Sequence, residues 1–404
     1  MDGYELLAPA GDRECLETAI RYGADAIYLG GPELQLRSGK VGFSREELES
    51  AAAYAHGRGR RVYVTVNSFA FPREIGLVPD YARYLCSIGA DAVIVTDIGV
   101  LSEIKRAAPD LPVHVSTQAN CMNYSAARVY FDMGAERIVL ARELSLEDIA
   151  EIRAKTPKEL ELEAFAHGAM CMAYSGRCLI SSYLNGRSGN RGECTQPCRW
   201  GYALMEEKRP GEYFPVEEDG DCTAILSSHD MCCIDILDDM KKAGITSFKI
   251  EGRMKTAYYV ATAVNAYRMR LDGAADAEYC RRELESMAHR PYSTGFYLGA
   301  ERLGCNNDGK VRQSCVFVGV VRRSSDGVLT VEQRNRFAVG ETLEVLSPGV
   351  PAREFTVSGI SDEDGNAQTC APHPQQTVFV PCPFELLPGD ILRRRETEKV
   401  LRSC

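Results

Sequence analysis

The sequence predicts an α/β fold: a TIM-type (β/α)8 barrel with a large cysteine-rich insertion after strand 7, followed by a small C-terminal antiparallel β-barrel. Three observations carry this. One grammar, a helix ending at Gly and then a short apolar strand, recurs in YGADAIYLG (22–30), IGADAVIVTD (88–97), MGAERIVLARE (133–143) and AGITSFKIEGR (243–253). Four further strand-like runs bring the count to eight in the first ~270 residues, the number and length a barrel needs. From about residue 311 the text changes to alternating strands broken by Gly, Pro and Asp, the pattern of antiparallel β-structure.

The elements follow in order. YELLAPAG (4–11) opens the barrel, and the first repeat supplies strand 2. Gly at each helix end supplies a left-handed cap, and the continuous apolar run after it suits a strand buried on both faces. RVYVTVNS (61–68), VHVSTQAN (113–120) and LELEAFAHG (160–168) are strands 3, 5 and 7, with the remaining repeats as strands 4, 6 and 8. Ser44 with Glu47, and Ser145 with Asp148, have the three-residue spacing of helix N-caps. Periodicity alone leaves a doubly wound open sheet as the runner-up. The expected division is a barrel over 1–275, with the insertion at 168–229, a connector over 276–310 and the β-domain over 311–404.

Composition narrows the class. The 404 residues are 45% hydrophobic and 26% charged, the make-up of an ordinary globular protein. No apolar run reaches the length of a membrane span and the N-terminus lacks a signal pattern, so a cytoplasmic protein with no membrane partner is expected. The sixteen cysteines should then be thiols. Cys15, Cys86, Cys121, Cys280, Cys315 and Cys382 stand singly in helix-like or strand-like text and read as small buried hydrophobes. The net charge of -10 repels polyanions, so any nucleic-acid contact needs a local basic patch.

Such a patch lies in the inserted loop, where Arg177, Arg187, Arg191 and Arg199 face one acid, Glu193. The same stretch holds Cys171-x6-Cys178-x15-Cys194-x3-Cys198, with Cys222, Cys232 and Cys233 downstream. Four thiols in a Gly-rich loop form a soft-metal site, and spacing alone leaves zinc and iron-sulfur both open. The loop follows strand 7, so it belongs to the active-site face of a barrel, and the next helix is expected from about Asp230.

Strand ends carry the chemistry of barrels, and here they are polar: Asn67, Asp97, Thr117, Gln118, Asn120, Arg142, Glu143, His167, Lys249, Glu251 and Arg253. His167, Lys249 and Glu251 are the candidate catalytic groups, His167 as a proton donor or partner of the cysteine loop, or equally as a cap of its strand. Lys249, Arg253 and Lys255 suit a phosphate or carboxylate, the alternative being a salt bridge to Glu251. No HExxH or GxSxG motif occurs, and GCNNDGKV (304–311) misses the P-loop pattern at Val311.

The run EAFAHGAMCMAYSGRCLISSYLNGRSGNRGECTQPCRW with SFKIEGRMK resembles peptidase family U-32, the collagenase-like peptidases. The likeness extends to LLAPAGDRECLETAIRYGADAIYLGG, RPYSTGFYLG, NRFAVGETLEVLSPG and LPGDILRR, nearly the whole chain. Within that family the architecture is most similar to the tRNA hydroxylation group. The resemblance implies formation of 5-hydroxyuridine at the wobble position of tRNA, a 4Fe-4S cluster and prephenate as co-substrate. It implies cluster ligands at Cys171, Cys178, Cys194 and Cys198, with Cys232 or Cys222 as the alternative fourth, and a second protein of the same family as partner. On that reading Arg142 and Arg253 fork onto the carboxylates of a prephenate-like donor beside Asn67, Gln118 and Asn120, and the four loop arginines meet tRNA phosphates. The alternatives are a collagenase-like peptidase and a zinc-stapled non-catalytic scaffold.

Overall fold

The computed structural model describes residues 3–36, 42–171, 173–200, 203–205, 213–215, 228–299 and 310–402. Seven parallel strands, β1 (Glu5–Pro9), β2 (Ala26–Gly30), β3 (Arg61–Val66), β4 (Ala92–Val95), β5 (Val113–Val115), β6 (Arg137–Val139) and β7 (Glu161–Ala169), pair in sequence order. After a small hairpin, β8 (Ala203–Met205) with β9 (Tyr213–Pro215), and a short strand β10 (Asp230–Cys232), the eighth barrel strand β11 (Ser247–Ile250) pairs with both β1 and β7. That double pairing closes the sheet, so the open-sheet alternative is excluded. All four repeat glycines, Gly23, Gly89, Gly134 and Gly244, have the positive φ the grammar requires.

Helices α1 (Arg13–Arg21), α2 (Arg45–His56), α3 (Pro72–Ile75), α4 (Val78–Ser87), α5 (Ile98–Ala107), α6 (Tyr124–Asp132) and α7 (Leu146–Ala154) connect the first seven strands. Ser44 and Ser145 each close a capping box at their helix starts. A short helix α8 (Ile180–Asn185) lies within the cysteine loop, and α9 (Leu237–Lys242) precedes β11. The helix expected from about Asp230 therefore begins later, because Asp230–Cys232 pairs antiparallel with the overhanging end of β7, Cys232 opposite His167. Helix α10 (Ala257–Leu271) has twelve of its fifteen residues buried. It carries little amphipathic signal because it is covered on nearly all sides, by α1, by β1 and by α11 (Ala277–Glu285).

Apolar residues divide between a large shell joining strands to helices and a small interior set that includes Leu7, Tyr28, Tyr63 and Ile94. The connector does more than link domains: β12 (Tyr292–Ser293) pairs with β10, and Tyr297 OH donates to Phe165 O at 2.8 Å.

The C-terminal domain contains β13 (Lys310–Ser325), β14 (Val328–Gln333), β15 (Phe337–Ala338), β16 (Thr342–Leu346), β17 (Arg353–Thr356), β18 (Ile360–Ser361), β19 (Ala367–Gln368), β20 (Cys370–Ala371), β21 (Thr377–Pro381) and β22 (Ile391–Arg402). Eight of these form one curled antiparallel sheet, and β15 pairs with β20. It docks through Arg393, fully buried, whose guanidinium donates to Glu344 of its own sheet and to Glu283 and Ser286 of the connector.

Candidate functional site

A cavity of about 620 Å3 opens at the C-terminal ends of the barrel strands, where loops built on a rigid scaffold converge. Beneath it lies a buried charge network that reaches the lining through Lys249. Arg137 Nη1 donates to Glu5 (2.5 Å) and Glu163 (3.0 Å), and Lys249 Nζ donates to the other Glu163 oxygen at 2.8 Å. Tyr63 OH donates to Glu5 at 2.6 Å. Burial favours the neutral form of Glu5, but Arg137 and Arg61 outweigh it and hold the carboxyl below the ordinary range. Burial pushes the Lys249 ammonium below the usual lysine range, against the pull of Glu163. Glu5, Arg137 and Glu163 escaped the sequence reading. The available signal was charge at inward positions of strands otherwise buried on both faces, as in the alternating acids of ELEAFAHG.

Above this network the structure gathers most of the predicted strand-end residues. Asn67, Gln118, Arg142, Lys249, Glu251 and Arg253 line the cavity. Arg142 lies over the Phe165 ring at 3.7 Å and donates to Ala169 O at 2.7 Å. Its Nε and the Gln118 Oε1 are buried without a hydrogen-bond partner among the described residues, which marks this wall as one that a polar ligand would complete. Arg253 is engaged by Gln35 Oε1, Thr65 Oγ1 and Leu36 O, so it holds the 35–36 segment at the rim while lending positive charge. Arg142, Lys249, Arg253, Lys255 and Arg290 face Glu143, Asp230 and Glu251 in the lining, a local excess of positive charge in an acidic chain.

Two expectations change. His167 does not line the cavity: it is 1% exposed, enclosed by the rings of Tyr259, Tyr267 and Tyr292, and burial lowers its pKa to about 3. A neutral imidazole packed there supports β7 rather than reaching a substrate. Asn120, in left-handed backbone at the end of a 3-10 turn after β5, also stands outside the lining.

Cys171, Cys178, Cys194 and Cys198 all line this one cavity and form no disulfide. The loop is docked by Ser175, whose amide donates to Glu143 at 2.8 Å, and by Gly176 against the Gln118 carbonyl. Gln196, with φ +59, donates its backbone amide to Cys194 Sγ at 3.4 Å. Among the described residues no three His, Cys, Asp or Glu side chains are arranged around a single ion position. The four thiols thus share a cavity wall without an ion-sized shell. Cys232 is buried in β10 outside the lining, its thiol pushed up to about 12 by burial. Cys222, the Arg199 side chain and residues 304–309 lie outside the described residues.

The loop's neck is closed by residues that the sequence assigned only to the connector. Arg290 donates from Nε (3.0 Å) and Nη2 (2.6 Å) to Asp230 Oδ1, its amide donates to Oδ2 (2.9 Å), and Ser228 Oγ donates to Met170 O (2.8 Å). Entry and exit of the loop are thereby held together beside Cys171. Of the loop arginines, Arg177 and Arg187 are exposed, whereas Arg191 pairs with Glu74 at 2.7 Å and lies over Phe71 at 4.4 Å. Its charge is already matched, so the expected phosphate contact is replaced by a clasp onto α3.

Fold and site together define a TIM-barrel protein with a cation-rich, cysteine-walled cavity at its mouth and an appended antiparallel β-domain. The chain belongs to peptidase family U32: that family's model matches residues 11–305, and the family's C-terminal domain matches residues 313–393. It is 36% identical to tRNA hydroxylation protein P1 of Bacillus subtilis (strain 168), over 96% of this chain and 94% of that protein. It is 34% identical to tRNA hydroxylation protein P of Escherichia coli (strain K12), over 95% and 94% of the two chains. A Porphyromonas gingivalis (strain ATCC BAA-308 / W83) protein named collagenase is 32% identical over 86% of this chain and 87% of its own. No helix among the described residues is long and apolar enough to cross a membrane.

Proposed function

We propose that the chain hydroxylates a uridine of tRNA to 5-hydroxyuridine. The carrying observation is that four cysteines of one loop and Arg142, Lys249 and Arg253 wall a single barrel-mouth cavity, in a chain related over nearly its full length to tRNA hydroxylation proteins. On this reading Cys171, Cys178, Cys194 and Cys198 hold a 4Fe-4S cluster. Four thiols of one loop bordering one cavity, one receiving an amide N–H, are a fitting donor set. Bound there, the cluster supplies one-electron chemistry. Arg142 offers an unpaired Nε to a carboxylate of a prephenate-class co-substrate, Arg253 and Lys249 contribute field, and Gln118 Oε1 accepts from a ligand hydroxyl or imide N–H. The Ser175 and Arg290 contacts fix the loop at the barrel mouth and so hold its cysteines in place against the cavity. A second protein of the same family as partner belongs to the same proposal.

Nucleoside mass spectrometry of tRNA from a deletion strain, complemented with wild type or Cys171→Ala, tests it. 5-Hydroxyuridine derivatives should vanish on deletion and return only with wild type. Undiminished derivatives in a deletion strain lacking any paralogue would refute the assignment.

The collagenase relative keeps peptide cleavage as the second reading. Against it, His289 lines the cavity but is stacked on Tyr292 at 4.2 Å with Nδ1 2.7 Å from Arg290 O, and His167 is sealed behind tyrosines. Gelatin cleavage lost on Glu251→Gln would favour that reading. Zinc without iron or labile sulfide in anaerobically purified protein would favour the scaffold.

A further inference from the structure

Helix α8 is inside out. A short surface helix ordinarily turns its apolar side to the protein and its polar side to water. Here Ser181 Oγ accepts from Thr195 N at 3.1 Å and Asn185 Nδ2 donates to Thr195 Oγ1 at 2.8 Å, so the polar side is bonded inward to the Cys194–Cys198 turn. Leu179, Tyr183 and Leu184 face solvent instead, Tyr183 at 92% exposure. Tyr174, 59% exposed, and Trp200, which follows a 3-10 turn packed on α8, continue the exposed apolar surface. A cluster of outward aromatic and leucine side chains on a tightly hydrogen-bonded loop marks a contact surface.

Its chemistry selects the occupant. The exposed Arg177 and Arg187 alternate with the rings along the loop. The neighbouring cavity lining carries more cations than acids, although the whole chain has a net charge of -10. Tyr174 and Ile180 of α8 both belong to the cavity lining, so the exposed side chains of this loop border the mouth. Planar rings interleaved with guanidinium groups, continuous with a positive cavity of about 620 Å3, suit unpaired nucleotides: bases stack on the rings, phosphates meet the arginines and one base turns inward. A protein partner or second copy would bury the leucines equally well but gives no account of the positive rim.

We propose that the outward face of α8, with Tyr174 and Trp200, is the stacking platform for a single-stranded RNA loop whose target base enters the cavity. This rests on the RNA-hydroxylation reading and extends it to the surface that presents the substrate. Trp200 is the chain's single tryptophan, so its emission reports contact directly.

The experiment titrates the full-length, anaerobically purified chain with a tRNA anticodon stem-loop, reading Trp200 fluorescence and anisotropy of labelled RNA. Wild type should show quenching, and Tyr174→Ala with Tyr183→Ala should weaken binding roughly tenfold or more. Tyr174→Phe with Tyr183→Phe should bind like wild type. Arg177→Gln with Arg187→Gln should flatten the salt dependence by about 0.7 per lost phosphate contact. All four side chains are exposed, and circular dichroism confirms that the variants remain folded. Unchanged affinity in the alanine variant overturns the platform, as does a wild-type dimer that this variant dissociates while RNA binding persists. If the platform fails while deletion still abolishes 5-hydroxyuridine, the function stands; if deletion leaves the nucleosides intact, the underlying reading fails.

Discussion

Replacing Arg290 with Met should open the neck of the cysteine loop. Arg290 and Asp230 are 5% and 9% exposed, and two guanidinium bonds plus one amide hold the carboxylate. Methionine fills similar volume but removes the guanidinium bonds, leaving Asp230, among the described residues, with the Arg290-position backbone N–H and the more distant charge of Lys255. Breaking a buried pair from one side costs about 3–5 kcal/mol, and the retained amide places the loss near the lower figure. In wild type, burial favours the neutral acid, but Arg290 outweighs it and holds the Asp230 carboxyl below its ordinary range. The folded protein then binds fewer protons than the unfolded one. This contribution is present above the unfolded value, near pH 4, and is lost as pH falls through the folded value. Without Arg290, burial raises the carboxyl instead, and that penalty grows as pH rises. The stability gap between wild type and variant should therefore be widest at pH 7 and shrink toward pH 4. Urea denaturation followed by circular dichroism measures it. Adding Asp230→Asn should recover part of the loss, about 1–3 kcal/mol, since no buried charge is then stranded. A gap below about 1 kcal/mol, or one that stays constant from pH 7 to 4, would refute the reasoning.

Gly176→Ala should undock the first half of the cysteine loop. Gly176 has φ +73, a Cβ there would lie 2.1 Å from Gln118 O, and left-handed backbone alone costs alanine about 1–2 kcal/mol; limited proteolysis within 171–178 should accelerate. On the proposed cluster assignment, Cys194→Ala should lower the iron and labile sulfide bound per chain, whereas Cys232→Ser should leave both unchanged, because Cys232 lies outside the cavity with a thiol raised by burial. Equal iron loss in the two variants would return Cys232 to the ligand set.

Much of the molecule was legible in one dimension because its signals are local. A helix that ends at Gly before a buried strand repeats the same backbone problem, and all four glycines solve it with positive φ. The four clustered cysteines were likewise visible, since one loop carries them and its place after strand 7 sets it at the mouth. Other features depend on partners far apart in the chain. His167 stands at a strand end, yet Tyr259, Tyr267 and Tyr292 seal it. Arg191 sits in a basic loop, yet Glu74, more than a hundred residues earlier, takes its charge.

The barrel, the β-domain and the clustering of the cysteines could be read along the chain, because backbone periodicity, caps and clustered thiols act over a few residues. Which charges are paired emerges from the three-dimensional fold. Glu5, Arg137, Glu163 and Lys249 come from four strands to share one buried network, and Arg290 crosses from the connector to Asp230. Charge pairing depends on distance in space, and closing a barrel brings together strand residues that sequence spacing keeps apart.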